Sequence, residues 1–161
     1  MSRAELGRLI ALLLPVGLLG GALGSQYLGG LHPCEMCYWQ RWPHGAAIVL
    51  AALAFTGSAV SQRSRALTLA AATAIAVSGA IGVYHAGVEL GIFEGITTCT
   101  VTAKAATPEE LLKQLMQVPL VRCDQVQWSF LGISLAGWNA ILSLGGAALV
   151  SWLTLGRRRL G

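Results

Sequence analysis

Charge is scarce in this 161-residue sequence: Asp, Glu, Lys and Arg make up 11% of it, whereas hydrophobic residues make up 55%. An ordinary soluble domain is about a quarter charged. So few charges exclude a soluble globular protein, because they cannot cover its surface. Intrinsic disorder is excluded as well, because disordered chains are poor in apolar residues and rich in charge. The composition therefore indicates an integral membrane protein.

The sequence also lacks an internal repeat, a low-complexity linker and a basic surface patch. Its net charge of +4 comes from cations in short segments between long apolar stretches, where they are not interleaved with aromatic residues. A nucleic-acid-binding protein would gather its cations on one face. We therefore exclude nucleic acid as a partner and expect a single membrane domain over residues 1–161.

Four stretches are long and apolar enough to cross a bilayer as helices, which takes roughly 20 residues each. Short connections between them favour an up-down-up-down bundle. Small residues at helical spacing favour close helix packing, and the pairs are Gly17 with Gly21, Gly20 with Gly24, and Ser78 with Gly82. We predict an all-α four-transmembrane-helix bundle. Its spans are residues 9–28, 42–60, 66–85 and 130–155.

The charges between these spans are distributed asymmetrically. Seven cations face one acid, Glu5, on one side, and four cations face six acids on the other. The positive-inside rule therefore puts both termini and residues 61–65 in the cytoplasm, and residues 29–41 and 86–128 outside. The seven cytoplasmic cations are Arg3, Arg8, Arg63, Arg65, Arg157, Arg158 and Arg159.

The first span has an alternative interpretation as a cleaved signal peptide, because Arg3 and Arg8 precede an apolar run that ends in small residues. The run is about 20 residues, however, whereas the apolar core of a signal peptide has roughly 7–15. Cleavage would also leave Cys34 near a free terminus. We therefore expect a retained helix.

The second outer loop contains a pattern typical of a surface helix. Thr107, Pro108 and Glu110 form a helix start with a capping box, and Pro119 ends the run. Apolar residues recur on one face between them. A helix over residues 107–120 is too short to span a bilayer, so we expect it to lie along the membrane surface.

All four cysteines fall in the predicted outer loops, which indicates an oxidising compartment. Cys99 and Cys123 flank the surface helix, and a structural disulfide there would contribute about 3 kcal/mol of loop-closure entropy. Cys34 and Cys37 enclose only two residues, so a bridge between them removes little chain entropy. Such a close pair more often serves redox cycling or metal binding.

A zinc site is the metal alternative, because His32, His44 or His85 could join the thiolates of the close pair. The sequence has no second close cysteine pair and no His-x-x-x-His motif. An oxidising exterior also disfavours free thiolates. We therefore expect no metal.

The surroundings of the close pair favour redox chemistry. Arg41 follows Cys37 by four residues, so a helix would place its guanidinium one turn from the sulfur and lower the thiol pKa from about 8.5. Pro43 predicts a kink or a fresh helix start nearby. The alternative for Arg41 is a snorkelling interfacial cation. The alternative to a ligand role for His85, which ends span three, is a hydrogen bond to a backbone carbonyl.

This combination of motifs resembles the DsbB family, the bacterial inner-membrane disulfide-forming quinone reductases. The resemblance covers nearly the whole chain, with four spans and Cys99 and Cys123 around the amphipathic helix. The local motifs that carry it are Cys34-x-x-Cys37, Gln40-Arg41, Tyr84-His85 and Gln127-Trp128-Ser129-Phe130-Leu131-Gly132.

The resemblance implies an electron relay. A DsbA-like thioredoxin-fold oxidase of the periplasm would form a mixed disulfide at Cys99, and Cys123 would then attack Cys34. Cys37 would become a thiolate against ubiquinone or menaquinone in the bilayer. The resemblance also implies that Arg41 binds the quinone, that His85 lies near it, and that Leu135 contacts it where some members have methionine.

Two other hypotheses remain at this point. A vitamin K epoxide reductase-like protein also combines four helices, a quinone-type ligand and paired cysteines, but its Cys-x-x-Cys follows the loop pair instead of preceding it. A non-catalytic membrane scaffold would hold two structural disulfides that do not react with a thioredoxin-fold donor. Arg41 beside the close pair counts against this scaffold.

Overall fold

The computed structural model of the chain describes residues 1–95, 107–109 and 121–156, and this part is mostly helical. The four helices are α1 (Arg3–Tyr27), α2 (Glu35–Ala54), α3 (Gln62–Glu89) and α4 (Leu135–Leu155). A two-stranded antiparallel hairpin of β1 (Ser129–Phe130) and β2 (Ile133–Ser134) precedes α4. Of these helices, α1, α3 and α4 are long and apolar enough to cross a membrane.

The helices form a bundle in which neighbours in sequence are neighbours in space. The largest interfaces join α3 to α4 and to α2, smaller ones join α1 to α2 and to α4, and α1 and α3 touch little across the diagonal. Two hydrogen bonds fix one end: Arg8 donates to the Gly57 carbonyl, and Arg65 donates to the Thr154 carbonyl. The starts of α1 and α3 therefore lie beside the ends of α2 and α4.

Alanine dominates the core between these helices. The buried cluster consists of Ala11, Ala47, Ala51, Ala71, Ala72, Ile75, Ala147 and Val150. Small side chains let helix backbones approach closely, which supplies much of the packing energy where lipid surrounds the bundle. The core is therefore thin and holds the helices near one another.

The predicted small-residue packing is confirmed for α3 and wrong for α1. A Cβ on Gly82 would lie 3.0 Å from the Ala136 carbonyl oxygen, and one on Gly79 would lie 2.9 Å from Leu144 Cγ, so α3 packs directly on α4. Four glycines of α1 have no atom within 4 Å of such a Cβ, and they are Gly17, Gly20, Gly21 and Gly24. These four positions therefore face open space and not a closely packed neighbouring helix.

Three predicted helix boundaries are wrong: both ends of the second helix and the start of the fourth. The second helix begins at Glu35, because Cys34 caps it, and it runs through Pro43 without a fresh start and ends at Ala54, short of residue 60. The fourth begins at Leu135 instead of residue 130, because Leu131 and Gly132 both have positive φ and turn the preceding residues into the hairpin. Side-chain caps and turns outweigh hydropathy in both helices.

Several predictions fall outside the described residues. The surface helix over 107–120 is described only at its first three residues, which are exposed. Cys99 and the cations Arg157, Arg158 and Arg159 also lie outside the described ranges.

Candidate active site

The close cysteine pair lies in the first turn of α2. Cys34 is the N-cap residue, and its sulfur accepts a hydrogen bond of 3.3 Å from the Cys37 backbone N–H. The two sulfur atoms lie 2.9 Å apart as thiols that are not joined. Cys34 is buried, whereas Cys37 is partly exposed. The helix start therefore holds both sulfurs where a disulfide between them can form and open with little backbone movement.

The two thiols differ in acidity. The pKa of Cys37 is lowered, first because Cys34 donates a hydrogen bond to its sulfur, and also because of the Cys34 cap and the Arg41 charge. The pKa of Cys34 is raised, first by that same hydrogen bond and then by burial. Cys37 is therefore the sulfur that carries the negative charge when the pair loses one proton.

His85 of α3 lies against the buried sulfur, with its Nε2 3.5 Å from Cys34 Sγ. The Gln40 amide nitrogen donates to the Met36 carbonyl at 3.2 Å, which fixes the orientation of that amide. The same nitrogen lies 2.8 Å from His85 Nδ1, so Nδ1 accepts and Nε2 carries the hydrogen. His85 is thus bonded to side chains of α2, and it presents an N–H to the Cys34 sulfur.

Glu89 lies one turn beyond His85 on α3, with a carboxylate oxygen 3.8 Å from His85 Nε2. The Glu89 side chain is only 8% exposed. Burial of an ionisable side chain in a membrane protein costs free energy, and such residues usually mark a functional site. Glu89 therefore belongs to the site, although the sequence gives it the appearance of a solvated loop residue.

Asn139 of α4 extends the polar contacts deeper into the bundle. Its amide nitrogen donates to Gln40 Oε1 at 2.8 Å and to the Ser78 carbonyl at 3.2 Å. Its amide oxygen lies 2.9 Å from His44 Nε2 and accepts from Ser143 at 3.0 Å. Side chains of α2, α3 and α4 are therefore joined by hydrogen bonds in a region where unpaired polar groups would be strongly unfavourable.

Arg41 lies one turn after Cys37 on the same continuous helix, as its spacing predicts. Its guanidinium donates to Gln26 Oε1 at 2.5 Å and to the Ala22 carbonyl at 3.3 Å, both on α1. It also lies over the Tyr38 ring, 5.1 Å from the centroid. These contacts hold the cation beside the cysteine pair instead of leaving it free to extend into solvent.

A cavity of about 540 Å³ opens beside these groups. One wall is apolar and belongs to α1, where Gly17 and Gly21 contribute no side chain. The opposite wall is polar. Its principal residues are Cys37, Gln40, Arg41, His44, His85 and Asn139. The volume and the mixture of walls are those of a small-molecule binding site.

The sequence-predicted site residues that the structure describes line this cavity, except Cys123, which lies beside the close pair. Leu135, the first residue of α4, lines it and is 42% exposed. Cys123 is buried in one cluster with Cys34, Met36 and Val88, so the outer-loop cysteine lies by the close pair. Cys99 is outside the described residues.

The sequence alone did not assign site roles to Gln40, His44, Glu89 and Asn139. The sequence points to Gln40 only as part of a family motif and to His44 only as a possible zinc ligand. A usable signal exists for His44 and Asn139, because each interrupts an otherwise apolar span. A polar or ionisable residue in such a position is a functional candidate by default.

A metal site is the other arrangement that this geometry permits. The ligand atoms of Cys34, Cys37 and His85 lie within 4.8 Å of one another, and two thiolates with an imidazole are a ligand set that zinc accepts. Three of the four ligands for a closed tetrahedral site are therefore together. The expectation of no metal remains a prediction.

The family profile described as "Disulfide bond formation protein DsbB" matches residues 4–153. The chain belongs to the DsbB family. A disulfide bond formation protein B of Azoarcus sp. (strain BH72) is 31% identical over 151 residues, covering 88% of this chain and 86% of its own. That of Methylococcus capsulatus is 30% identical over 154 residues, covering 89% and 91%. That of Hahella chejuensis is 29% identical over 151 residues, covering 89% and 88%.

No solved structure gives a significant match to this DsbB-family chain. The resemblance predicted from the sequence is nevertheless confirmed, because the family profile spans nearly the whole chain. Together with three membrane-length helices, this assignment identifies a multi-pass membrane protein of disulfide bond formation, an oxidoreductase that forms disulfides.

Proposed function

We propose that this DsbB-family protein is a thiol:quinone oxidoreductase that re-oxidises a DsbA-like thioredoxin-fold oxidase of the bacterial periplasm. Electrons would pass from the partner to Cys99 and Cys123, then to Cys34 and Cys37, and finally to ubiquinone or menaquinone in the bilayer. One observation carries the proposal: the more acidic thiol of an adjacent pair lies beside a cation, on the wall of a cavity of small-molecule size.

The acidity of Cys37 sets the direction of thiol–disulfide exchange. When Cys34 and Cys37 form a disulfide, an attacking thiolate expels the sulfur with the lower pKa most readily. The lowered pKa of Cys37 therefore directs attack onto Cys34, and Cys37 leaves as a thiolate. Cys123 is the attacking sulfur in this scheme, and its burial in one cluster with Cys34 supports that role.

The cavity residues suit a quinone. The open space beside Gly17 and Gly21 admits a flat ring, and the guanidinium of Arg41 can donate hydrogen bonds to an acceptor oxygen. When bound, a quinone supplies a sink for two electrons and takes up two protons. His85 carries its hydrogen on Nε2 beside Cys34 Sγ, so it would donate a hydrogen bond to the Cys34 sulfur and stabilise negative charge there when the thiol proton leaves.

The proposal includes a membrane orientation. We infer four spans with both termini in the cytoplasm of a bacterium and the cysteines in the periplasm. The described bundle supports it, because Arg3, Arg8 and Arg65 lie at one end and the cysteine pair lies at the other. The positive-inside rule assigns the cationic end to the cytoplasm.

The test is turnover of the purified protein in lipid nanodiscs, with a reduced thioredoxin-fold oxidase as electron donor and a short-tailed ubiquinone as acceptor. Cys34→Ser and Cys37→Ser should each abolish quinone reduction, because they remove the pair that faces the cavity. Cys99→Ser and Cys123→Ser should stop oxidation of the partner. They should spare quinone reduction by a small dithiol that reaches the close pair directly.

The matched control is Ser64→Ala, which removes a buried hydroxyl that donates to the Ala54 carbonyl at the other end of the bundle. This variant should keep full turnover. Full turnover with the partner in both outer-loop cysteine variants would contradict the relay. A parent protein that shows no turnover with this donor and quinone would be a non-catalytic scaffold instead.

A further inference from the structure

His44 lies on the wall of the cavity with one ring nitrogen that the proposed relay does not use. The residue is 3% exposed, and its Nδ1 has no hydrogen-bond partner among the described residues. Leaving a buried polar atom without a partner is unfavourable. A group that lines a binding cavity at this cost is expected to gain a partner when the cavity is filled.

The hydrogen bonds of the other ring nitrogen fix which atom carries the hydrogen. Asn139 donates from its amide nitrogen to the Ser78 carbonyl, so its amide oxygen is the atom 2.9 Å from His44 Nε2. An amide oxygen only accepts hydrogen bonds, so Nε2 must donate. In the neutral imidazole Nδ1 then has a free lone pair and acts only as an acceptor.

Arg41 and His44 meet the cavity from two sides, although they lie one turn apart on α2. Hydrogen bonds to Gln26 and Ala22 hold Arg41 toward α1. Hydrogen bonds to Asn139 and Ser78 hold His44 toward α3 and α4. Among the residues that line the cavity, Arg41 thus offers donors and His44 offers an acceptor, and the two are chemically complementary to different ligand groups.

We propose that His44 is a binding residue that distinguishes the two redox forms of the ligand, accepting a hydrogen bond at Nδ1 from a hydroxyl of the quinol. The inference rests on the proposed function, because it names the ligand form that the same cavity prefers. A quinone has only acceptor oxygens and finds its donor at Arg41. A quinol has hydroxyl donors as well, and neutral His44 provides the matching acceptor.

This preference would favour the overall reaction. One additional hydrogen bond to the quinol corresponds to about a fivefold difference in affinity between the two forms. Tighter binding of the reduced form makes the bound couple more oxidising, and fivefold corresponds to about 20 mV for two electrons. The cavity would then accept electrons more readily from Cys37 than free quinone in the bilayer would.

Two substitutions separate this role from a merely structural one. His44→Gln keeps a nitrogen near the place of Nε2, which can still donate to Asn139, but removes the acceptor at Nδ1. His44→Asn keeps an acceptor near the place of Nδ1 and removes the contact with Asn139. A purely structural histidine would tolerate the first change better, whereas a quinol-binding histidine would tolerate the second better.

The experiment measures dissociation constants of a short-tailed benzoquinone and of its quinol by anaerobic calorimetry. The full-length chain carries Cys37→Ser, so that neither ligand form changes its redox state. With His44 present, we expect the quinol to bind more tightly than the quinone. His44→Gln should weaken quinol binding about fivefold and leave quinone binding unchanged, and His44→Asn should restore most of the preference.

A second measurement needs no substitution at His44. The chain has three histidines, so its histidine ¹⁵N spectrum is simple to assign with variants at the other two. The Nδ1 resonance of His44 should shift when the quinol is added and stay in place when the quinone is added. This measurement keeps the inference testable if His44→Gln fails to fold.

The outcomes separate the two proposals. One contrary result is that His44→Gln binds both ligand forms as the parent does, or binds both more weakly by the same factor. If, in addition, the His44 Nδ1 resonance does not shift on addition of the quinol, the inference about His44 is wrong, whereas the quinone cavity remains. If the parent chain binds neither form, the proposed function itself is wrong.

Discussion

The glycines of α1 and those of α3 serve opposite purposes. On α3, Gly79 and Gly82 face atoms of α4 at about 3 Å from where a Cβ would stand, and the two helices touch. On α1, Gly17 and Gly21 face nothing within 4 Å and line the cavity instead. The same residue type, repeated after three residues on α3 and after four on α1, closes one interface and opens the other.

A stripe of small residues therefore does not by itself predict close helix packing, because the outcome depends on the surface that faces it. The stripe on α3 faces backbone atoms of α4, notably the Ala136 carbonyl and the Ala140 nitrogen. The stripe on α1 faces the side chains of the redox site across open space. Four experiments test whether the two stripes differ in this way.

The first experiment tests the reactivity of Cys34 and Cys37, which line the cavity that the α1 glycines leave open. In reduced protein, iodoacetamide should modify Cys37 and leave Cys34 unmodified, because the pKa is lowered at Cys37 and raised at Cys34, and only thiolate reacts. When the pH is lowered below the usual thiol pKa of about 8.5, Cys37 should remain reactive, because its own pKa is lowered. Mass spectrometry of the labelled peptides against pH measures both rates.

Arg41→Gln is the control for this profile, because it removes a positive charge that lowers the pKa of Cys37. The midpoint of the Cys37 reaction should move to higher pH in this variant. Preferential labelling of Cys34 at neutral pH would contradict the assignment of the two sulfurs.

The second experiment fills the cavity from the α1 side. Gly21→Leu should lower kcat/KM for a short-tailed quinone by at least about fivefold, because overpacking against a bound ring costs about 1–3 kcal/mol. Gly20→Leu is the matched control, since Gly20 lies on the same helix, is exposed and does not line the cavity. Equal losses in the two variants would show that α1 does not border the quinone site.

The third experiment tests the closed interface between α3 and α4. Gly82→Ala should lower the free energy of unfolding by about 1–3 kcal/mol, because the new methyl group meets backbone atoms at 3.0 and 3.1 Å. Gly145→Ala on α4 is the control, since nothing lies within 4 Å of its Cβ position. Unfolding by denaturant in mild detergent measures both free energies of unfolding. A Gly82→Ala variant as stable as the parent would contradict close packing between α3 and α4.

The fourth and smallest effect is expected at the open face. Gly17→Ala should raise the free energy of unfolding by about 0.5–1 kcal/mol, because alanine loses less backbone entropy in a helix and meets no atom here. The same unfolding assay measures it. A loss of stability would mean that α1 packs closely at Gly17 after all.

Sequence reasoning reached the class of fold because hydropathy and length alone identify α1, α3 and α4. It also placed Arg41 one turn after Cys37, since helical spacing is independent of tertiary contacts. It erred at residues 55–60 and 130–134, where a helix end and a hairpin turn interrupt apolar sequence that a hydropathy window reads as continuous.

The polar half of the site could not be derived in this way. Asn139 lies 99 residues from Gln40, and His44 lies 95 residues from Asn139, yet hydrogen bonds join all three. Their proximity depends on how α2 and α4 face one another, which no local pattern encodes. The cavity was equally out of reach, because it depends on the direction in which the α1 glycines point.

In the proposed relay, the close pair delivers its electrons to a quinone in this cavity. The most direct test is single-turnover quinone reduction in detergent, starting from protein whose four thiols have been reduced and counted by alkylation. We predict that free thiols disappear in step with quinol formation, and that Cys37→Ser abolishes both. Four thiols that persist in the presence of excess ubiquinone and menaquinone would contradict the account.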